Sequence, residues 1–138
     1  MSNKKILIVE DDADVRRGYR VLLKAHDYDT VVAGDGVAAV AEALKHLPDL
    51  IILDLGLPAG DGFAMLDRFR ASPNLEIIPV VVVSGRDVYG ILGNRERALQ
   101  AGAKAYLQKP WDDAELLGII DGLLSKPVPV VAHWRAPA

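Results

Sequence analysis

Cysteine is absent from the 138 residues. That excludes disulfides, thiolate zinc sites and cysteine nucleophiles, and leaves oxygen and imidazole as the side-chain ligands for any metal. Histidine is scarce: His26, His46 and His133 are scattered along the chain, and none reads as a ligand. Long apolar runs are missing too, and nothing approaches the ~20 consecutive residues needed to cross a bilayer. The polar start, Met1 to Lys5, leads into only a short apolar run, without the longer stretch and small-residue cleavage site of a secretory signal, so a soluble, cytoplasmic protein is expected. Nor is there an excess of positive charge. Sixteen Lys and Arg against nineteen Asp and Glu give a formal net charge of -3, no electrostatic reason to expect this domain to grip nucleic acid. What is present suffices for one core: 51% of residues are hydrophobic and 25% charged, which argues against disorder. A chain of this length can bury roughly two-thirds of the surface it exposes when unfolded.

From Lys5 to about Leu124, short β-branched apolar runs alternate with segments of helical periodicity, the pattern of a parallel sheet wrapped by helices. Five such pairs can be counted. Ile6-Leu7-Ile8-Val9 reads as a buried strand, and Val15, Tyr19, Leu22, Leu23 and His26 then make one face of a helix. A weaker pair runs from Thr30 to Ala33 and on through Val37, Val40, Ala41, Leu44 and Leu47. Leu50-Ile51-Ile52-Leu53 is the clearest strand, and Asp61-Gly62 with Phe63, Leu66 and Phe69 signals the helix after it. Pro79 to Val83 is the fourth strand, followed by a helix that is indistinct at Gly90 and Gly93 but stops at Gly102. Ala105-Tyr106-Leu107 is the fifth. The last helix opens at Asp112 and Glu115, a capping-box-like pair, and lays Leu116, Leu117, Ile120, Leu123 and Leu124 along one face. Three prolines beyond Ser125 forbid a regular helix. Residues 1–126 are therefore expected as one domain and 127–138 as an extended tail or truncated linker.

In doubly wound sheets the loops at the carboxyl ends of the strands converge on a ligand-binding crevice. Here those ends are Glu10-Asp11-Asp12, Asp54, Ser84 and Lys109-Pro110. Clustered carboxylates repel one another unless a cation neutralises them, and Mg²⁺ suits a site of oxygen ligands without cysteine or nearby histidine. Asp54 can then serve as a nucleophile that forms an aspartyl phosphate, in a transfer that consists chiefly of positioning and charge neutralisation. The Lys109 ammonium can pair with Asp54 or a phosphoryl oxygen, and the Ser84 hydroxyl can donate to that oxygen. Plainer roles exist for several of these groups: Asp12 or Asp14 can cap the first helix, Ser84 the fourth, and Trp111 can be packing. Asp54 resists such a reading, because a charge at the edge of so buried a strand is costly without a partner.

The segments Ile-Val-Glu-Asp-Asp, Leu-Asp-Leu-Gly-Leu-Pro-Ala-Gly-Asp-Gly, Val-Ser-Gly and Ala-Gly-Ala-Lys-Ala-Tyr-Leu-Gln-Lys-Pro, in that order at the strand ends, closely resemble the receiver domains of two-component response regulators. The resemblance covers about residues 4–125. It implies a flavodoxin-like (βα)5 three-layer sandwich with strand order 2-1-3-4-5. It makes Asp54 the phosphoacceptor, Asp11 a direct metal ligand, Glu10 the acid that reaches Mg²⁺ through water and the Gly56 carbonyl a further ligand, with Asp12 outside that set. It also makes Ser84 the switch hydroxyl, Lys109 the paired lysine, Tyr106 the aromatic that turns inward when Ser84 moves, and the bond before Pro110 cis. The implied partners are a sensor histidine kinase or phosphotransfer protein upstream and a protein target or output domain downstream, with neither direct nucleic-acid binding nor a membrane. The implied activity is a self-catalysed phosphoryl transfer serving regulation more than metabolism.

Two departures from the family pattern stand out. About three surplus residues fall somewhere in Arg86 to Glu96, and Lys104-Ala105 replaces the acidic pair of members that dimerise through the fourth-helix face. Gly56 and Arg86 sit where family members tune phosphoryl lifetime. Other readings are a phosphorylation-independent scaffold on the same fold, or a phosphatase of the haloacid-dehalogenase type, which wants a second Asp where Gly56 stands. A dinucleotide site fails because the loop after the first strand is acidic instead of glycine-rich.

Overall fold

The computed structural model describes residues 3–54, 61–84, 94–109 and 111–125. Strand and helix alternate throughout: β1 Lys5–Val9, α1 Ala13–Ala25, β2 Asp29–Ala33, α2 Gly36–His46, β3 Leu50–Asp54, α3 Asp61–Ala71, β4 Val80–Ser84, α4 Asn94–Gln100, β5 Ala105–Gln108 and α5 Asp113–Leu124. All strand pairs are parallel and the sheet order is β2-β1-β3-β4-β5, the order the resemblance implies. The surplus residues expected within Arg86 to Glu96 fall mostly on 85–93, and the tail on 126–138, both outside the described residues.

The β-branched runs form strands because both of their faces are covered, so the usual alternation gives way to continuous apolar sequence. Every residue of β3 and β4 is buried. The pleat sorts their side chains by parity. Ile6, Ile8, Leu50, Ile52, Val81, Val83 and Leu107 pack with α1 and α5, whereas Leu7, Val9, Ile51, Leu53, Val80 and Val82 pack with α2, α3 and α4. Local caps fix the helix starts. Asp12 accepts from the Asp14 and Val15 amides of α1, Asp35 from Ala38 of α2 and Asp112 from Glu115 of α5. Gly102, at φ 109°, ends the α4 turn as expected; a Cβ there would meet Arg70 Cδ at 2.6 Å.

The expected face of α2 is corrected. Val37, Leu44 and Leu47 are exposed, and the helix seats Ala39 and Ala43 against the sheet, with Ala38 and Val40 partly buried. Small side chains let this helix lie close to the strands, so the contact stripe is the alanine one although the larger apolar residues dominate the sequence pattern. Leu47 leaves the face for a local reason: it sits in the left-handed region at φ 46° and caps the helix through its N–H to Ala43 O. His26 is likewise not a face residue. It caps α1, exposed, with Nδ1 3.0 Å from Leu22 O.

Enlarging the buried stripe by Ala39→Leu should therefore destabilise the fold by about 1–3 kcal/mol through overpacking. Val37→Ser, on the exposed stripe, should stay within about 0.5 kcal/mol. Urea unfolding midpoints of the two variants check the assignment, which reversed sensitivities would overturn.

Candidate phosphoacceptor site

Pleat parity does more than build the core, because it aims the functional residues. Glu10 continues the series Ile6, Ile8; Asp54 continues Leu50, Ile52; Lys109 continues Ala105, Leu107. All three series face α1 and α5. The register Ile8↔Ile52 on adjacent strands carries Glu10 and Asp54 to the same edge of the sheet. Ser84 and Tyr106 have the opposite parity, in step with Val80 and Val82, and belong to the side of α2, α3 and α4.

Glu10 and Asp54 are both buried, at 3% and 0% exposure. Lys109 supplies the counter-charge: its Nζ lies 2.7 Å from Asp54 Oδ2 and 4.0 Å from Glu10 Oε1. The Lys109 backbone is fixed by its N–H to Ser84 O at 2.8 Å, which ties the end of β5 to the end of β4. Glu10 also accepts from the Asp12 amide at 2.9 Å. Its carboxyl is pushed up to about 8, first by burial and then by hydrogen bonding with the Asp54 and Asp11 carboxyls and the Asp54 charge, with the Asp12 amide pulling the other way. Asp11 is exposed beside it, and Asp12 is committed to the α1 cap through Oδ1. The structure thus bears out the cap reading of Asp12.

Ser84 is buried at 3% exposure. The Tyr106 ring is half-buried, and its hydroxyl is buried with no hydrogen-bond partner among the described residues. Gly56, Arg86 and Pro110, expected respectively as carbonyl ligand, lifetime-tuning residue and cis proline, lie outside the described residues.

Three neighbours of the site went unread as such in the sequence. Arg16 Nη1 donates to the carbonyls of Glu10 at 2.8 Å and Asp11 at 3.2 Å, anchoring the acidic loop to α1. The Tyr19 hydroxyl reaches Asp54 Oδ2 at 3.5 Å, and its ring stacks on Trp111 with centroids 5.6 Å apart. Tyr19 fits the apolar period of α1 so well that its polar tip went unread. The available signal was its place in the half of α1 nearest the acidic strand ends.

The donor set fits a hard divalent cation. Among the described residues, no three acidic or imidazole side chains gather tightly enough for an all-protein cage. Magnesium is normally held by one or two carboxylates with water and phosphate, and Glu10 and Asp54 are two buried carboxylates at one edge of the sheet, with Asp11 exposed beside them.

The profile of the response regulator receiver domain matches residues 6–121. The chain belongs to this family. Curated relatives of this receiver domain include the transcriptional regulatory protein PrrA of Mycobacterium tuberculosis, 33% identical over 91% of the chain and 52% of the relative, and the response regulator PleD of Caulobacter vibrioides, 37% identical over 86% and 26%. The chain thus spans about half of PrrA and a quarter of PleD. Among solved structures, a response regulator from Chloroflexus aurantiacus superposes with a TM-score of 0.80 at 28% identity over 90% of this chain and 99% of that one. The receiver domain of the sensor histidine kinase PA1611 from Pseudomonas aeruginosa, which carries a magnesium ion in its active-site cleft, gives 0.78 at 31% identity over 90% and 99%. Among the described residues no helix is long and apolar enough to cross a membrane.

The raised Glu10 carboxyl has a sign. Below about 4.5 it is protonated whether the chain is folded or not. Between there and about 8 the unfolded carboxyl ionises while the folded one keeps its proton, so this group's contribution to stability is full below that window and lost as pH rises through it. Thermal unfolding with chelator present should show wild type losing ground to Glu10→Gln across this window, and Mg²⁺ should narrow the gap at its upper end. Parallel pH profiles for the two proteins would refute it.

Proposed function

We propose that residues 1–126 form a phosphoacceptor switch of a two-component phosphorelay, with Asp54 as the nucleophile. The observation that carries the reading is the 2.7 Å contact of Lys109 Nζ with Asp54 Oδ2, inside a buried group of carboxylates at the carboxyl end of the sheet. Burying a carboxylate beside a partly exposed lysine adds little to stability compared with apolar packing, so its placement at a strand end favours a chemical role.

A carboxylate oxygen of Asp54 attacks phosphorus, and the donor's bond to phosphorus breaks with its electron pair leaving on the donor, an imidazole of a histidine kinase or phosphotransfer protein or the acetate of acetyl phosphate. Lys109, already within reach of both carboxylates, balances charge on the transferring group. Glu10 and Asp11, with Asp54 and the Gly56 carbonyl, would hold Mg²⁺, which supplies charge neutralisation for the phosphoryl oxygens when bound. Ser84 and Tyr106 then act as the switch. A Ser84 hydroxyl drawn to the phosphoryl group vacates space on the α4 side, and the buried Tyr106 hydroxyl, without a hydrogen-bond partner among the described residues, favours a ring that moves to reach one. The phosphorylated conformer is the one a downstream protein target or output domain binds better, so phosphorylation and partner binding favour each other. Residues 127–138 serve as a tail or linker, and the cell compartment is the cytoplasm.

Intact-protein mass after incubation with acetyl phosphate should rise by one phosphoryl group with Mg²⁺, and not with chelator or in Asp54→Asn. A folded protein that gains nothing under any condition would favour the phosphorylation-independent scaffold instead.

A further inference from the structure

We infer that Tyr19 is a positioning residue of the Asp54 site, whose hydroxyl holds the carboxylate from the α1 side and speeds the return of aspartyl phosphate to free aspartate. The inference rests on the phosphoacceptor reading of Asp54. Tyr19 is 3% exposed, on the face of α1 that also buries Leu23. A purely apolar side chain would fill that place. A phenol carries a hydroxyl into the core, at a cost unless something accepts from it, and Asp54 Oδ2 stands 3.5 Å away.

The ring is held on its other side. Trp111 stacks on it at an interplanar angle of 26°, and Trp111 follows two residues after Lys109, whose Nζ holds the same Oδ2 at 2.7 Å. One connection between β5 and α5 therefore secures Asp54 twice, directly through Lys109 and indirectly through the Trp111–Tyr19 stack.

In hydrolysis of the aspartyl phosphate, a water oxygen attacks phosphorus and the bond from phosphorus to the Asp54 oxygen breaks. The electron pair returns to the carboxylate, and the water's protons leave with inorganic phosphate and solvent. Negative charge thus grows on the oxygens that Tyr19 faces. A fixed donor is worth more to a carboxylate than to the neutral acyl oxygen of the phosphorylated form. The same preference lowers the yield of the phosphorylated form at a given donor concentration.

Tyr19→Phe removes the hydroxyl and keeps the stacked ring; Tyr19→Leu removes both. After acetyl phosphate is withdrawn, the phosphorylated Phe variant should decay roughly three- to ten-fold more slowly than wild type, the scale of a hydrogen bond to a charged group weakened by its length. Its unfolding midpoint should stay close to that of wild type, and the side-chain carboxyl carbon of unphosphorylated Asp54 should shift in NMR. A merely structural Tyr19 would leave decay and carboxyl resonance unchanged in Phe and alter only Leu, which overturns the inference, as does faster decay in Phe. A wild type that takes up no phosphoryl group overturns the Asp54 reading itself and this inference with it; a wild type that does, beside an unaltered Phe variant, overturns this inference alone.

Discussion

The pair between Lys109 Nζ and Asp54 Oδ2, 2.7 Å apart, sets what the remaining structure must accomplish. Burying a carboxylate with no exposed surface is costly unless an opposite charge is brought to it, and the lysine that brings it lies 55 residues further along the chain. Both ends must arrive at one edge of the sheet with the same side-chain parity. The parallel order β2-β1-β3-β4-β5 does this by seating β4 between the two strands concerned, with the Lys109 amide locked onto Ser84 O. The apolar strands are the scaffold that makes a polar cluster affordable at their ends.

The sheet also separates two tasks. Charge and chemistry collect on the face of α1 and α5, where Glu10, Asp54 and Lys109 point with Tyr19 and Trp111 beneath them. Ser84 and Tyr106 belong to the other face, with α2, α3 and α4. In the proposed switch, an event at Asp54 crosses the sheet at its rim to be sensed on the α4 side, where Ser84 pairs in register with Gln108 just before Lys109.

Much of this was legible in the sequence, unevenly and for physical reasons. Strands buried on both faces announce themselves as continuous runs such as Leu50 to Leu53, so the fold class and the acids at the strand ends could be read directly. Helix faces were harder. The larger Val37 and Leu44 outweigh Ala39 and Ala43 in any apolar pattern, yet close approach to a sheet selects the small residues. Asp12 and Glu10 are near neighbours with opposite fates, one capping a helix and the other buried, because Glu10 directly follows β1 whereas Asp12 directly precedes α1. Tyr19 reads as packing because an aromatic ring satisfies the helical period wherever its hydroxyl ends up. Arg16 escaped because its partners are backbone carbonyls, which no residue pattern encodes.

Alternating orientation along β5 also ranks which changes of length the fold can absorb. Tyr106 and Lys109 lie three positions apart and so on opposite sides of the sheet; losing or gaining one residue between them would put both on the same side and break the pairing with Asp54. An insertion of the same size in a surface connection outside the strands alters only closure entropy, a small change that grows slowly with length. The stretch from Tyr106 to Lys109 is therefore one whose length cannot change without losing the pair that the sheet is built to bring together.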